Sequence, residues 1–264
     1  MSGPAPVGLY SISVRGLEVP ELLSWVARHN IPSVHLRGGS RGYDIAGQDA
    51  GTWSRWRQVS AATVPITGIT ADTDLADLIS SDSAVHARAH DQVRRLANAA
   101  RSLGAGWVRL LARHPLHRFP GTPLAEFAVP LLVELHHSAW LARRPHSVLL
   151  RLLKQQPNLR LLADSAQLSN ALAQVDDGRA DERLRQLAPW IGVLHLSDPG
   201  LGLTGLGHAR VADHVIDLIA DGQHIEVAVE WTGTDRAPST ALVRYQEAVT
   251  WWARRHATRW GQDR

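Results

Sequence analysis

Residues 131–164 read LLVELHHSAWLARRPHSVLLRLLKQQPNLRLLAD. A short apolar run, Leu131–Leu135, opens the stretch and a second, Leu159–Ala163, closes it. Between them, Ser147–Gln156 places apolar residues at helical spacing and stops at Pro157. Strand, helix and strand in this order make a βα unit. The alternation continues in both directions. Further apolar runs at Val7–Val14, Ser33–Arg37, Val64–Ile69, Gly106–Leu111, Gly192–Leu196 and Ile225–Val229 bring the strand count to eight. Helical signals lie between them. Pro20–His29 follows a proline first turn, Ala84–Leu103 ends at Gly104, Arg210–Ala220 ends at Gly222, and Ser239–His256 closes the chain.

Eightfold alternation points to an α/β protein, a parallel eight-stranded (β/α)8 TIM barrel. An open doubly wound sheet would announce a glycine-rich phosphate loop after its first strand. Here Arg15-Gly16-Leu17-Glu18 follows, without GxGxxG. Eight units in 264 residues leave ~33 residues each, normal for a barrel. No linker divides the chain, so residues 1–264 are read as one domain. Joins from helix to strand are short, as at His29–Pro32. Joins from strand to helix are long, as at Gly38–Thr52, Ala112–Thr122 and Ser197–Ala209. Long loops beyond the strand C-termini are what an active-site mouth needs. Between strands four and five, Pro123–Val129 leaves room for about two helical turns, so helix four is expected to be short or replaced.

Composition narrows the chemistry. The chain has no cysteine, which excludes disulfides, thiolate metal sites and a cysteine nucleophile. Of its 28 basic residues only Lys154 is a lysine, so Schiff-base chemistry would depend on that residue alone. Lys154 falls on a helix, where a solvated surface role is expected. The formal charge of +3 and the absence of a basic run argue against a nucleic-acid surface. Met1–Pro6 has none of the features of a signal peptide, and no apolar run approaches ~18 residues. A cytoplasmic location without membrane association is expected.

Four successive late strands end in a side chain that can bind a metal. LLVE ends in Glu134, LLAD in Asp164 and VAVE in Glu230, and VLHLSD contains His195. They lie 30, 31 and 35 residues apart, about one βα unit each. Neighbouring strands of a barrel bring such positions together at its mouth. An inward carboxylate there is costly unless it is paired or metal-bound. Three carboxylates and one imidazole suit one divalent metal ion, Mn²⁺, Mg²⁺, Co²⁺ or Zn²⁺.

These residues carry a resemblance. LLVELHH, PNLRLLADSAQ, IGVLHLSDPGLGLTGLGHARV and IEVAVEW are similar to segments of the xylose isomerase-like TIM barrels, the superfamily of sugar isomerases and epimerases related to AP endonuclease family 2. The opening segment GLYSISVRGLEVPELLSWVARHNIPSVHLRGG resembles the first two units of that family. The resemblance implies that Glu134, Asp164, His195 and Glu230 are metal ligands. It also implies that Glu134 and Glu230 form the acid/base pair of an epimerase. The physical rationale is a metal-stabilised enediolate with a carboxylate on each face of the reacting carbon. Two departures stand out. Gln167 occupies the place of a family histidine in Asp164-Ser165-Ala166-Gln167. The extra histidines of the nuclease branch are incomplete, although His35 and His208 are present.

Substrate contacts are expected from His136, on the face of Glu134, and from Gln167, Arg37, Arg210 and Trp231. Arg109 is expected to reach the mouth or to pair with a ligand carboxylate. Asp198 is expected to orient His195 or its own loop. The Trp251, Trp252 and Trp260 group is read as packing under the barrel or as a contact in a homo-oligomer. The functional expectation is a divalent-metal isomerase or epimerase of a sugar, cyclitol or related polyol. A dehydratase, lyase or specialised-metabolite enzyme on the same site is the alternative. A non-catalytic binding barrel and an endonuclease stand behind it.

Overall fold

The computed structural model describes residues 5–119, 124, 126–175 and 177–261. Eight parallel strands close into a barrel in sequence order, with β8 returning to β1. They are β1 (Val7–Tyr10), β2 (Val34–Arg37), β3 (Ile66–Asp74), β4 (Trp107–Ala112), β5 (Leu131–Leu135), β6 (Leu159–Asp164), β7 (Ile191–Asp198) and β8 (Glu226–Trp231). Each coincides with one of the apolar runs read from the sequence. The first is shorter than Val7–Val14 because Ser11–Ser13 form a 3-10 turn. There Ser13 Oγ accepts from Trp231 N at 2.8 Å, so a side chain continues the link to β8.

The outer ring comprises α1 (Val19–Arg28), α2 (Ala50–Ala62), α3 (Leu75–Leu78), α4 (Ser83–Leu103), α5 (Arg143–Gln155), α6 (Ser165–Ala173), α7 (Ala180–Leu187), α8 (Leu206–Ala220) and α9 (Pro238–Gly261). Local chemistry fixes their ends. Glu18 and Glu21 form a capping box on α1. Asp82 caps α4, which stops at Gly104 with φ of 81°. Among the described residues, the crossover from β4 to β5 holds no helix. The α2 segment begins inside what the sequence reading treats as a loop, capped by Asp49 at Thr52 N.

The main apolar core lies between barrel and helices. Inside the barrel a smaller cluster of Trp107, Leu132, Leu162 and Val193 fills one level. Strand parity then puts Arg109, Glu134, Asp164 and His195 two residues further along the same inward faces. No helix among the described residues is long and apolar enough to cross a membrane. On the last helix Trp252 is buried and Trp251 half-buried, while the Trp260 side chain lies outside the description.

Candidate active site

The barrel interior above the apolar cluster is polar and buried. Glu134, Asp164, His195 and Glu230 are all less than 10% exposed. Register staggers them around the mouth: Asp164 lies opposite His195, and Glu230 opposite Ser197.

Glu134 is the most heavily engaged. Arg109 Nε lies 2.7 Å from its Oε2, Gln167 Nε2 donates to Oε1 at 3.0 Å, and His136 Nε2 lies 3.1 Å from Oε1. Burial would raise the pKa of this carboxyl, but the charge of Arg109 and the neighbouring His136 outweigh it and bring it down to about 2. Arg109 is itself tied down, donating to Ala71 O at 2.8 Å. It therefore pairs with a carboxylate of the cluster, one of the two roles its sequence position allowed.

Glu230 is shifted the other way. Burial and the negative charge of Glu134 push it up to about 8, against Arg109 and His136. Asp164 is also raised well above the usual carboxylate range, by burial and then by Glu230 and Glu134. It additionally caps α6, accepting from Gln167 N at 2.8 Å. Glu134 is thus held ionised and Glu230 keeps its proton near neutral pH, with Asp164 shifted in the same direction as Glu230.

His195 holds both nitrogens in contact. Nδ1 lies 2.9 Å from Glu230 Oε2, and Nε2 lies 2.9 Å from His35 Nδ1. His35 Nε2 lies 3.1 Å from Glu226 Oε2. Burial lowers both imidazoles to about 4, so both are neutral. Tyr10 stacks on His195 with centroids 4.9 Å apart, and burial pushes its hydroxyl up to about 12. Sequence reading noted His35 but did not connect it with His195, and it passed over Glu226 and Tyr10.

No family model and no curated sequence matches the chain. Solved structures do. That of an L-ribulose 3-epimerase aligns with a TM-score of 0.68 at 15% identity, over 98% of this chain and 97% of that one. The D-psicose 3-epimerase of Clostridium cellulolyticum H10, solved with D-tagatose, aligns at 0.62 and 11% identity, over 97% of each chain. The IolI protein, solved with a zinc atom, aligns at 0.64 and 10%, over 95% of this chain and 99% of that one. These proteins and a xylose isomerase-domain protein share the (β/α)8 barrel fold of this chain.

Within the barrel the expected substrate contacts divide. His136 and Gln167 reach Glu134. Arg37 shares the inward parity of His35, is half-buried, and lies close enough to Asp72 to stabilise that carboxylate. Arg210 pairs with Asp181 on α7 rather than with a carboxylate of the cluster. Trp231 does not belong to the site. Next to inward Glu230 it must face outward, where its Nε1 donates to Asp235 O and Arg244 lies over its ring. Asp198 accepts from Gly200, Leu201 and Gly202 N, so it orders its own loop rather than His195. His208 Nδ1 lies 3.0 Å from Ser165 Oγ.

As they stand, no three or more His, Asp and Glu side chains among the described residues are arranged to hold a metal ion. Glu134 is turned to Arg109, Gln167 and His136, whereas Glu230 meets His195 and Asp164.

Proposed function

We propose that the protein is an isomerase or epimerase of a sugar, cyclitol or related polyol, with Glu134 and Glu230 as its acid/base pair. The split between two buried carboxyls of one cluster carries this reading: Glu134 is held ionised and Glu230 keeps its proton near neutral pH. A carboxylate that can take a proton, paired with an acid that can give one, is what proton transfer across a carbon requires. The shared fold of sugar epimerases supports it.

Glu134 as it stands is a weak base, because three donors surround it. Two of them, His136 and Gln167, are only partly buried. Substrate hydroxyls that draw these two away would return basicity to Glu134 where a substrate carbon can be reached.

The donor set fits one divalent metal ion (Mn²⁺, Mg²⁺, Co²⁺ or Zn²⁺) in kind. Asp164 and Glu230 are buried carboxyls whose pKa values burial raises, so that a cation can take a proton's place there, and His195 faces Glu230. Asp164, His195 and Glu230 would hold the ion, with Glu134 joining by leaving Arg109. When bound, such an ion supplies the charge that polarises a carbonyl and stabilises an enediolate.

The test is turnover of a panel of ketoses in deuterium oxide. Deuterium should enter the carbon next to the carbonyl without loss of water. Glu134→Gln and Glu230→Gln should each slow exchange by about 10³-fold with unchanged circular dichroism. Full activity in either variant overturns the reading, and net loss of water moves it to dehydration on the same site. Chelation should lower the rate, and divalent metal should restore it.

A further inference from the structure

Glu226 begins β8, at the opposite end of that strand from Glu230. Its carboxylate accepts from the indole N–H of Trp107 at 3.3 Å, and an indole nitrogen can only donate. Burial opposes its charge, but His35 and Trp107 outweigh burial and keep it ionised. His35 Nε2, 3.1 Å away, must therefore carry a proton and donate. His35 is wholly buried, with Trp107 edge-on to its ring at 4.7 Å. In its neutral form Nδ1 is bare and can only accept. His195 Nε2, 2.9 Å from that atom, must then be the donor. It follows that His195 Nδ1 is bare. This lone pair faces Glu230 Oε2 at 2.9 Å, a distance that needs a proton or a cation between the two atoms.

We propose that Glu226 and His35 are positioning residues: they lock His195 as its Nε2–H tautomer and so present its bare Nδ1 to Glu230. A ligating imidazole is ordinarily oriented by an acceptor on its other nitrogen. Here that acceptor is a second histidine, itself oriented by a carboxylate from the far end of β8. The effect on metal binding rests on the function proposed above; the tautomer does not.

The tautomer is read directly from the imidazole ¹⁵N shifts of the labelled, chelator-treated full-length protein. His195 should show a protonated Nε2 and an unprotonated Nδ1, and His35 likewise. Signals are assigned by their loss in His195→Gln and His35→Phe. A protonated Nδ1 on His195 overturns the proposal without any variant having to fold beyond those used for assignment. In His35→Phe and Glu226→Leu the His195 tautomers should mix, and Mn²⁺ affinity measured by calorimetry should fall at least about tenfold. Glu226→Gln, whose amide oxygen can still accept from His35, should stay within about threefold of the unaltered protein. Unchanged His195 shifts in both disruptive variants also overturn the proposal. If the shifts are as expected but the unaltered protein binds no Mn²⁺, the tautomer lock stands and the metal reading falls.

Discussion

Arg109 carries the residue-scale balance of the site. It is 6% exposed and supplies the guanidinium that sits against Glu134. Removing one partner of a buried ion pair strands the other charge, at a typical cost of about 3–5 kcal/mol. Arg109→Met should therefore lower unfolding free energy by that order in urea titrations, and Arg109→Met with Glu134→Gln should recover much of the loss. A single variant as stable as the parent would mean that Glu134 is not ionised in the fold. Sequence alone left Arg109 undecided because both faces of WVRLLA carry apolar residues. The register with β3 settles it: Gly68 lies opposite Trp107, and the indole occupies the space a side chain at 68 would need. Glu134, Asp164, His195 and Glu230 were legible because each ends or nearly ends an apolar run one unit from the next. The link from His35 to His195 was not, since no local pattern relates two side chains 160 positions apart across a closed barrel. Trp231 shows the reverse case. The parity that turns Glu230 inward already excludes its neighbour from the mouth.

At the scale of elements, all eight strands were legible because a strand buried on both faces is a continuous apolar run. The α2 helix was not. AGTWSRWRQVSAA has few apolar residues, and only Thr52, Trp56 and Ser60 of it are buried. Its start is set instead by the Asp49 cap. The β3–β4 pairing imposes a tight packing constraint below the polar cluster. A Cβ built on Gly68 would lie 1.9 Å from Trp107 Cζ2. Gly68→Ala should force the indole to move, costing about 1–3 kcal/mol of stability. It should also loosen the Trp107 contact to Glu226, seen as a change in tryptophan emission. If Gly68→Ala is neutral in both measurements, Trp107 does not occupy that space.

The whole molecule places its polar cluster inside the barrel and its main apolar core outside, so the barrel interior opposes folding wherever charge is uncompensated. Proton linkage makes this measurable. Glu230 keeps its proton up to about pH 8 in the folded chain, whereas the ordinary value is 4.5. Between these limits the folded state binds more protons than the unfolded, so stability falls as pH rises. Asp164 is shifted in the same direction. Glu134 has the opposite sign: its pKa near 2 adds stability above 4.5, and that is lost as pH falls towards 2. His35 and His195, lowered to about 4 from an ordinary 6.5, have the opposite slope below about pH 6.5, so the metal-free protein should lose stability chiefly between about pH 6.5 and about pH 8, by up to ~1.4 kcal/mol per pH unit from Glu230. Urea midpoints in the presence of chelator measure the slope, and Glu230→Gln should flatten it. Saturating Mn²⁺ should reverse it, because a cation competing with protons for Asp164 and Glu230 binds more tightly as pH rises. A slope that Glu230→Gln leaves unchanged would show that Glu230 titrates as an ordinary carboxyl, and the acid/base assignment would lose its physical basis.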